Sequence, residues 1–163
     1  MLIGILSDSH GHSRRVRAAL ELFDRLGVQQ VIHCGDVGGI EVLDQFVGRT
    51  VQFVWGNTDQ PDAGLRTYLK SVGLTAPSAV PLELNLAGKR ILVFHGHERG
   101  FEAALASAAA DYLLHGHTHQ RRDERIGRMR VINPGALHRA IPRSVATLDL
   151  TSDTLTFHEI PRS

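Results

Sequence analysis

The sequence predicts an α/β domain of two packed β-sheets with helices outside, and three observations carry that expectation. The first 55 residues alternate apolar strand candidates with amphipathic helices, the pattern of a largely parallel sheet covered by helices. Beyond them the rhythm changes to strand pairs joined by short turns, which requires antiparallel pairing as well. The length of 163 residues fits one domain, 1–163, with a substantial core and no room for a second catalytic domain.

Residues 2 to 6 (LIGIL) form the first strand candidate. After the SDSHG loop a helix is expected from about 14 to 26, with Ser13 as cap and Val16, Ala19, Leu20, Phe23 and Leu26 on one recurring face. A strand at 30 to 34 precedes CGDVGG, a short helix covers Ile40 to Val47, and a third strand at 50 to 55 ends at WGNTD. A helix over 62 to 71 leads to Pro77 and Pro81, after which PLELNL and KRILVFH read as strands joined by AGK. The alanine-rich stretch 101 to 110 is a helix, followed by a strand at 112 to 115. RMRVINP, SVATLDL and LTFHEI complete the series, with Thr151, Ser152 and Asp153 in the last turn. There is no internal repeat, low-complexity tract or interdomain linker.

Composition narrows the function classes. Eighteen basic against seventeen acidic residues give a net charge of +1, too balanced to imply a polyanionic partner. Cys34 is the one cysteine, so neither a disulfide nor a zinc–thiolate site explains the fold, and a reducing compartment is expected. LIGIL is far too short to span a bilayer and lacks the basic start of a signal peptide, so the expected location is cytoplasmic, with no membrane partner.

Chemistry is concentrated at the strand ends. Asp8 and His10 lie in LSDSHG, Asp36 in CGDVG, Asn57 in WGNTD, His95 in FHGH, and His117 and His119 in HGHTH: seven metal-binding side chains in five segments. Each follows an apolar run, so the loops at one sheet edge can gather them around two ions. Residues two apart in an extended segment share a face, which pairs Asp8 with His10 and His117 with His119. Asp36 is the best bridge, because a carboxylate can give an oxygen to each ion whereas a neutral imidazole binds one. Glycines beside the ligands allow tight turns and close backbone approach. Amides near Gly56, Asn57 and the HGH turns are candidate phosphate donors. Taken singly, each residue has a plainer reading: Asp8 as a helix cap, Asp36 as a turn acid, Asn57 in an Asx turn, the histidines as satisfied loop residues. Their combination argues against those readings.

In the same ordered motifs the chain resembles the calcineurin-like metallophosphoesterase superfamily, especially its small bacterial and archaeal phosphodiesterase branch. SDSHG, GD, GNTD, FHGH and GHTH carry the resemblance, which runs through most of the chain; VINPGA with Asn133 looks like a late family segment, followed by Pro142 and Arg143. The resemblance implies a four-layer αββα sandwich with two mixed sheets. It also implies a two-metal site, with one ion on Asp8, His10, Asp36 and His119 and the other on Asp36, Asn57, His95 and His117. The expected reaction is in-line hydrolysis of a phosphodiester by a water activated between two divalent ions, with weak phosphomonoesterase activity alongside. Nitrogen and oxygen ligands favour manganese, with nickel, iron or zinc as substitutes. Where some relatives have a histidine after the asparagine, this chain has Thr58 and then Asp59, so the general acid is open; Asp59 is a candidate orienter of a histidine or water. The expected partner is a small phosphate ester, such as a nucleotide or cyclic phosphate.

The remaining polar residues read as support. His12, His97 and His115 are expected beside the ligands rather than on the metal. His33 and Cys34 are expected in structural roles, and His138 and Arg143 are candidates for reaching substrate. RRDERIGRMR carries five arginines against Asp123 and Glu124, but a solvated hairpin accounts for it better than an RNA-binding surface, since no nucleic-acid motif accompanies it. A noncatalytic scaffold, like the metallophosphoesterase-like subunit of the retromer coat, is the alternative function; that relative departs from the full ligand set, whereas all seven positions are filled here. A homo-oligomer formed through a sheet edge or the surface around 61 to 80 is compatible with the sequence, which carries no symmetry signal.

Overall fold

The computed structural model describes residues 1–161, so the last two residues of the expected domain, Arg162 and Ser163, lie outside the described residues. Ten strands form two five-stranded mixed sheets. The first contains β1 (Leu2–Leu6), β2 (Gln30–His33), β3 (Val51–Phe53), β9 (Ser144–Asp149) and β10 (Thr154–Glu159), in the order β10-β9-β1-β2-β3. The second contains β4 (Leu82–Leu86), β5 (Lys89–Val93), β6 (Tyr112–Leu114), β7 (Arg121–Ile126) and β8 (Met129–Pro134), in the order β4-β5-β6-β8-β7. Each has a parallel centre, β1-β2-β3 in one and β5-β6-β8 in the other, extended by antiparallel strands.

The helices are α1 (Ser13–Leu26), α2 (Ile40–Leu43, continued by a 3-10 turn through Phe46), α3 (Ala63–Ser71) and α4 (Phe101–Ser107). Strand alternation sorts the core into three apolar layers. Ile3, Ile5 and Ile32 meet Ile91, Val93, Leu114 and Ile132 between the sheets. Leu6, Val31 and Phe53 pack against Val16, Leu20 and Phe23 of α1 and Leu69 of α3. Leu92, Leu113 and Val131 pack against Phe101 and Leu105 of α4. Helix, sheet, sheet, helix is therefore the layer order, as expected.

Local differences have simple causes. Ser13 is the first helical residue, and His12 precedes it without a side-chain cap, whereas Asp62 does cap α3 by accepting from the Leu65 amide at 2.7 Å. The helix expected to 110 stops at Ser107, where Ala108 turns left-handed with φ 46°. The Arg-rich segment forms the β7–β8 hairpin. Four of its five arginines meet acidic partners in the chain itself: Arg122 with Glu124, Arg125 with Asp153, Arg130 with Asp123 and Asp153, and Arg121 with Glu159 at 3.6 Å. Among the described residues no helix is long and apolar enough to cross a membrane.

Candidate metal centre

The carboxyl ends of β1, β2, β3, β5 and β6 open onto one cleft, and the loops leaving them bring all seven sequence-predicted residues there. Asp8, Asp36 and His95 form a buried floor, His10 and His119 are half-buried walls, and Asn57 and His117 stand exposed at the rim. Five of the seven, Asp8, His10, Asp36, His117 and His119, have φ between 43° and 68°, among nine such non-glycine residues described. Left-handed backbone is costly for residues with a Cβ, and its concentration on these five shows that the loops are held by the surrounding structure rather than by local preference.

Two donor clusters result. Ligand atoms of Asp8, His10 and His119 lie within 4.8 Å of one another, as do those of Asp8, Asp36 and His95. His119 Nε2 is 3.2 Å from Asp8 Oδ1. Asp36 Oδ2 lies 3.3 Å from His10 Nε2 and 3.4 Å from His95 Nε2, so Asp36 also touches both clusters. Asn57 Oδ1 is 3.1 Å from His95 Nε2, and the His117 ring is 5.1 Å from that of His95. Asp36 Oδ1 accepts from the Thr58 amide at 3.0 Å and the Thr58 hydroxyl at 2.7 Å, which leaves Oδ2 to face both histidines.

The donor atoms suit divalent cations. His10 Nε2 is buried and without a hydrogen-bond partner among the described residues, although a carboxylate oxygen is 3.3 Å away, the relation expected of two ligands directed at a common point rather than at each other. His95 Nδ1 donates to the Cys34 carbonyl at 2.8 Å, which fixes the ring and leaves Nε2 facing the cleft. Burial opposes charge on His95, but the bonds to Asp36 and Cys34 and the charges of Asp8 and Asp36 outweigh it and raise its pKa. Burial raises that of Asp8; burial also opposes charge on Asp36, but the hydrogen bonds from His95 and Thr58 outweigh it and hold Asp36 far below the ordinary carboxylate range. A cation between these groups would offset the burial cost of the Asp8 carboxylate.

The supporting hydrogen bonds were mostly illegible in the sequence. Asp59 accepts from the amides of Val37, Gly38 and Gly56 at 3.0, 2.9 and 2.8 Å rather than holding a histidine, and so ties the Asp36 loop to the Asn57 turn. Glu98 accepts from the His95 and Gly96 amides at 2.8 and 2.7 Å. The His117 amide is directed to Asp8. The amides of Gly56, Gly96 and His117 are thus engaged within the protein and are not the phosphate donors anticipated for them. Asn133 donates to the Gly116 carbonyl at 2.8 Å and accepts from the Gly135 amide at 2.9 Å, combining turn and support roles. His115 is buried behind the cleft against Gly116 and Asn133, and burial lowers its pKa to about 4. Cys34 is buried and acts through its carbonyl.

His33 locks two metal loops together. Its Nδ1 accepts from the Gly35 amide at 3.2 Å, so Nε2 carries the proton and donates to Ser9 Oγ at 2.8 Å; Ser9 in turn donates to the Val37 carbonyl at 3.0 Å. A second ring proton would confront the Gly35 amide, and burial, followed by the charge of His95, lowers the pKa to about 3. Unfolded His33, near 6.5, binds a proton that the fold excludes, so stability falls as pH drops below 6.5. We expect the stability difference between wild type and His33→Gln to shrink by about 1.4 kcal/mol per pH unit between pH 6 and 4, read by urea unfolding. A difference independent of pH would show that the fold admits the second proton.

Residues 1–153 match the family model of the calcineurin-like phosphoesterase superfamily domain. The chain belongs to that superfamily. Within it, this member is 33% identical over 138 residues to phosphodiesterase MJ0936 of Methanocaldococcus jannaschii, covering 83% of each protein. It is 30% identical over 158 residues to phosphodiesterase YfcE of Escherichia coli, covering 88% of this chain and 82% of that protein. An archaeal phosphodiesterase of known structure superposes with a TM-score of 0.87 at 29% identity, over 98% of this chain and 99% of the other. This calcineurin-like phosphoesterase thus falls with the small phosphodiesterase-like branch. Two carboxylate–imidazole clusters on such a fold support metal-dependent phosphoesterase activity.

Proposed function

We propose that the chain, as one domain, is a divalent-metal phosphodiesterase whose ligands are Asp8, His10, Asp36, Asn57, His95, His117 and His119. The observation that carries this reading is the convergence of all seven on one open cleft, with an orphaned His10 Nε2 and a single free Asp36 oxygen facing the same space. The names of the relatives MJ0936 and YfcE favour diesters. Bound divalent ions would supply Lewis-acid charge and acidify a water for in-line attack on phosphorus. The chain's part is to fix the geometry. Asp36 presents Oδ2 because Thr58 restrains Oδ1, His95 is held by Cys34, and exposed Asn57 and His117 leave the cleft open for a phosphate ester to enter. Manganese suits this mixed nitrogen and oxygen set best, with nickel, iron and zinc as substitutes. A nucleotide diester or cyclic phosphate is the substrate class, in the cytoplasm.

Thr58 provides no proton to a leaving group, since its hydroxyl is given to Asp36. General acids contribute about a hundredfold or more, so turnover should fall by about that factor when 4-nitrophenyl is replaced by phenyl in a matched diester series. A flat dependence would reveal a proton donor elsewhere. The test of the function is hydrolysis of matched aryl monoesters and diesters by metal-stripped protein reloaded with manganese, nickel, iron, zinc or magnesium. Faster diester turnover supports the assignment; monoester preference would overturn the diesterase reading. Absence of turnover with every metal would favour the noncatalytic scaffold.

A further inference from the structure

Basic groups gather at the His10 end of the cleft without acidic partners among the described residues. Arg143, in the loop between β8 and β9, has buried Nε and Nη1 atoms that make no hydrogen bond among the described residues. Arg15, in the first turn of α1, gives one N–H to the Leu137 carbonyl at 2.8 Å and is near enough to Arg143 for that charge, after burial, to lower its basicity. His138 stands between this wall and the metal cleft: its ring is 4.8 Å from that of His10, and its Nδ1 shares a 2.8 Å hydrogen bond with His12 Nε2. The charges acting on His138 come from His10, His12, Arg139 and Arg15, all basic. A hollow of about 310 Å³ lies along Gly11 to Arg15, where α1 begins with no side-chain cap. Arg143 also borders a second hollow of about 280 Å³ shared with Glu159, whose carboxylate pairs with Arg121 at 3.6 Å instead.

Buried guanidinium N–H groups without acceptors are costly, and two neighbouring arginines add repulsion. An anion removes both penalties. The planar donor fork of arginine matches phosphate oxygens, and the α1 N-terminus adds a favourable dipole on the same side. We propose that this wall is an anion subsite that holds a second phosphate of the substrate, so that the preferred diesters are nucleotides carrying a further phosphate group. The proposal deepens the diesterase reading and rests on it for the chemistry, but the binding it requires can be measured without turnover.

The measurement is titration calorimetry of manganese-loaded protein with thymidine 3′,5′-bisphosphate and with the 3′- and 5′-monophosphates. Wild type should bind the bisphosphate about tenfold tighter than either monophosphate, Arg143→Gln should lose that advantage, and Arg143→Lys should keep part of it. If Arg143→Gln does not fold, Arg15→Gln serves the same comparison. Equal affinity of wild type for all three, or an undiminished advantage in a folded Arg143→Gln, would overturn the subsite. In parallel, 4-nitrophenyl esters of thymidine 5′-phosphate and of thymidine 3′-phosphate, each with and without the second phosphate, test the same preference in kcat/KM. A bisphosphate advantage in binding with no ester hydrolysed would sink the diesterase reading and leave the subsite standing.

Discussion

Asp36→Asn should lower metal-dependent hydrolysis by more than about a hundredfold, the upper range for losing a group that only supports a ligand. The reason lies in how little freedom Asp36 has. It is 3% exposed, its Oδ1 is saturated by Thr58, and its Oδ2 is within 3.4 Å of both His10 and His95. An asparagine would put either a neutral oxygen or an N–H in that position; the first weakens binding of a cation, and the second repels it. The fold should survive, because the amide can still accept from Thr58. Metal content measured on the purified variant should therefore fall together with activity, while the melting temperature of the metal-free protein stays close to wild type. Thr58→Val should give a smaller loss, about tenfold, by freeing Oδ1 to rotate. Full activity in Asp36→Asn would remove Asp36 from the centre altogether.

Gly116→Ala should be strongly destabilising for a change of one methyl group. A Cβ there would stand 1.9 Å from Ser7 Oγ, 2.7 Å from Asp8 Oδ2 and 3.0 Å from the Cys34 carbonyl. All three belong to the floor of the cleft, Ser7 and Asp8 are fully buried, and the Gly116 carbonyl is already held by Asn133. Neither the backbone carbonyl nor a buried carboxylate can yield without moving β1 or β2, so we expect a loss of about 3 kcal/mol, at the upper end for overpacking, and failure to retain metal. Gly100→Ala is the control: no atom lies within 4 Å of its Cβ position and its φ is −82°, so stability should change by less than about 0.5 kcal/mol. Chemical unfolding of both variants, with metal analysis, decides the matter. A stable, metal-replete Gly116→Ala would show that the close contact relaxes without cost.

Both expectations concern residues visible in the motifs, yet their reasons became visible only in three dimensions. The strand ends and the apolar face of α1 at Val16, Ala19, Leu20 and Phe23 were legible because each depends on neighbours within a few residues of sequence, whereas Leu26, expected on the same face, is exposed at the helix end. The same holds for the candidate ligands, which recur directly after apolar runs. Helix ends were less legible: nothing in the alanine-rich stretch marks Ala108 as the left-handed residue that stops α4 at Ser107. The roles of Asp59 and Glu98 were missed for a related reason, since a carboxylate's choice between solvent, metal and backbone amides depends on where those amides lie.

The amino-acid sequence by itself determined the class of fold, the order of its elements and the seven side chains that meet in the cleft, because periodicity and residue chemistry are local properties. Tertiary structure alone decided how those side chains are used: which oxygen of Asp36 remains free, that His33 joins Ser9 to the Asp36 loop, that the Gly56 and Gly96 amides are already engaged, and that two buried N–H groups of Arg143 have no partner among the described residues. Each of these is a contact across many residues of chain, fixed by the packing of two sheets rather than by any short stretch of it.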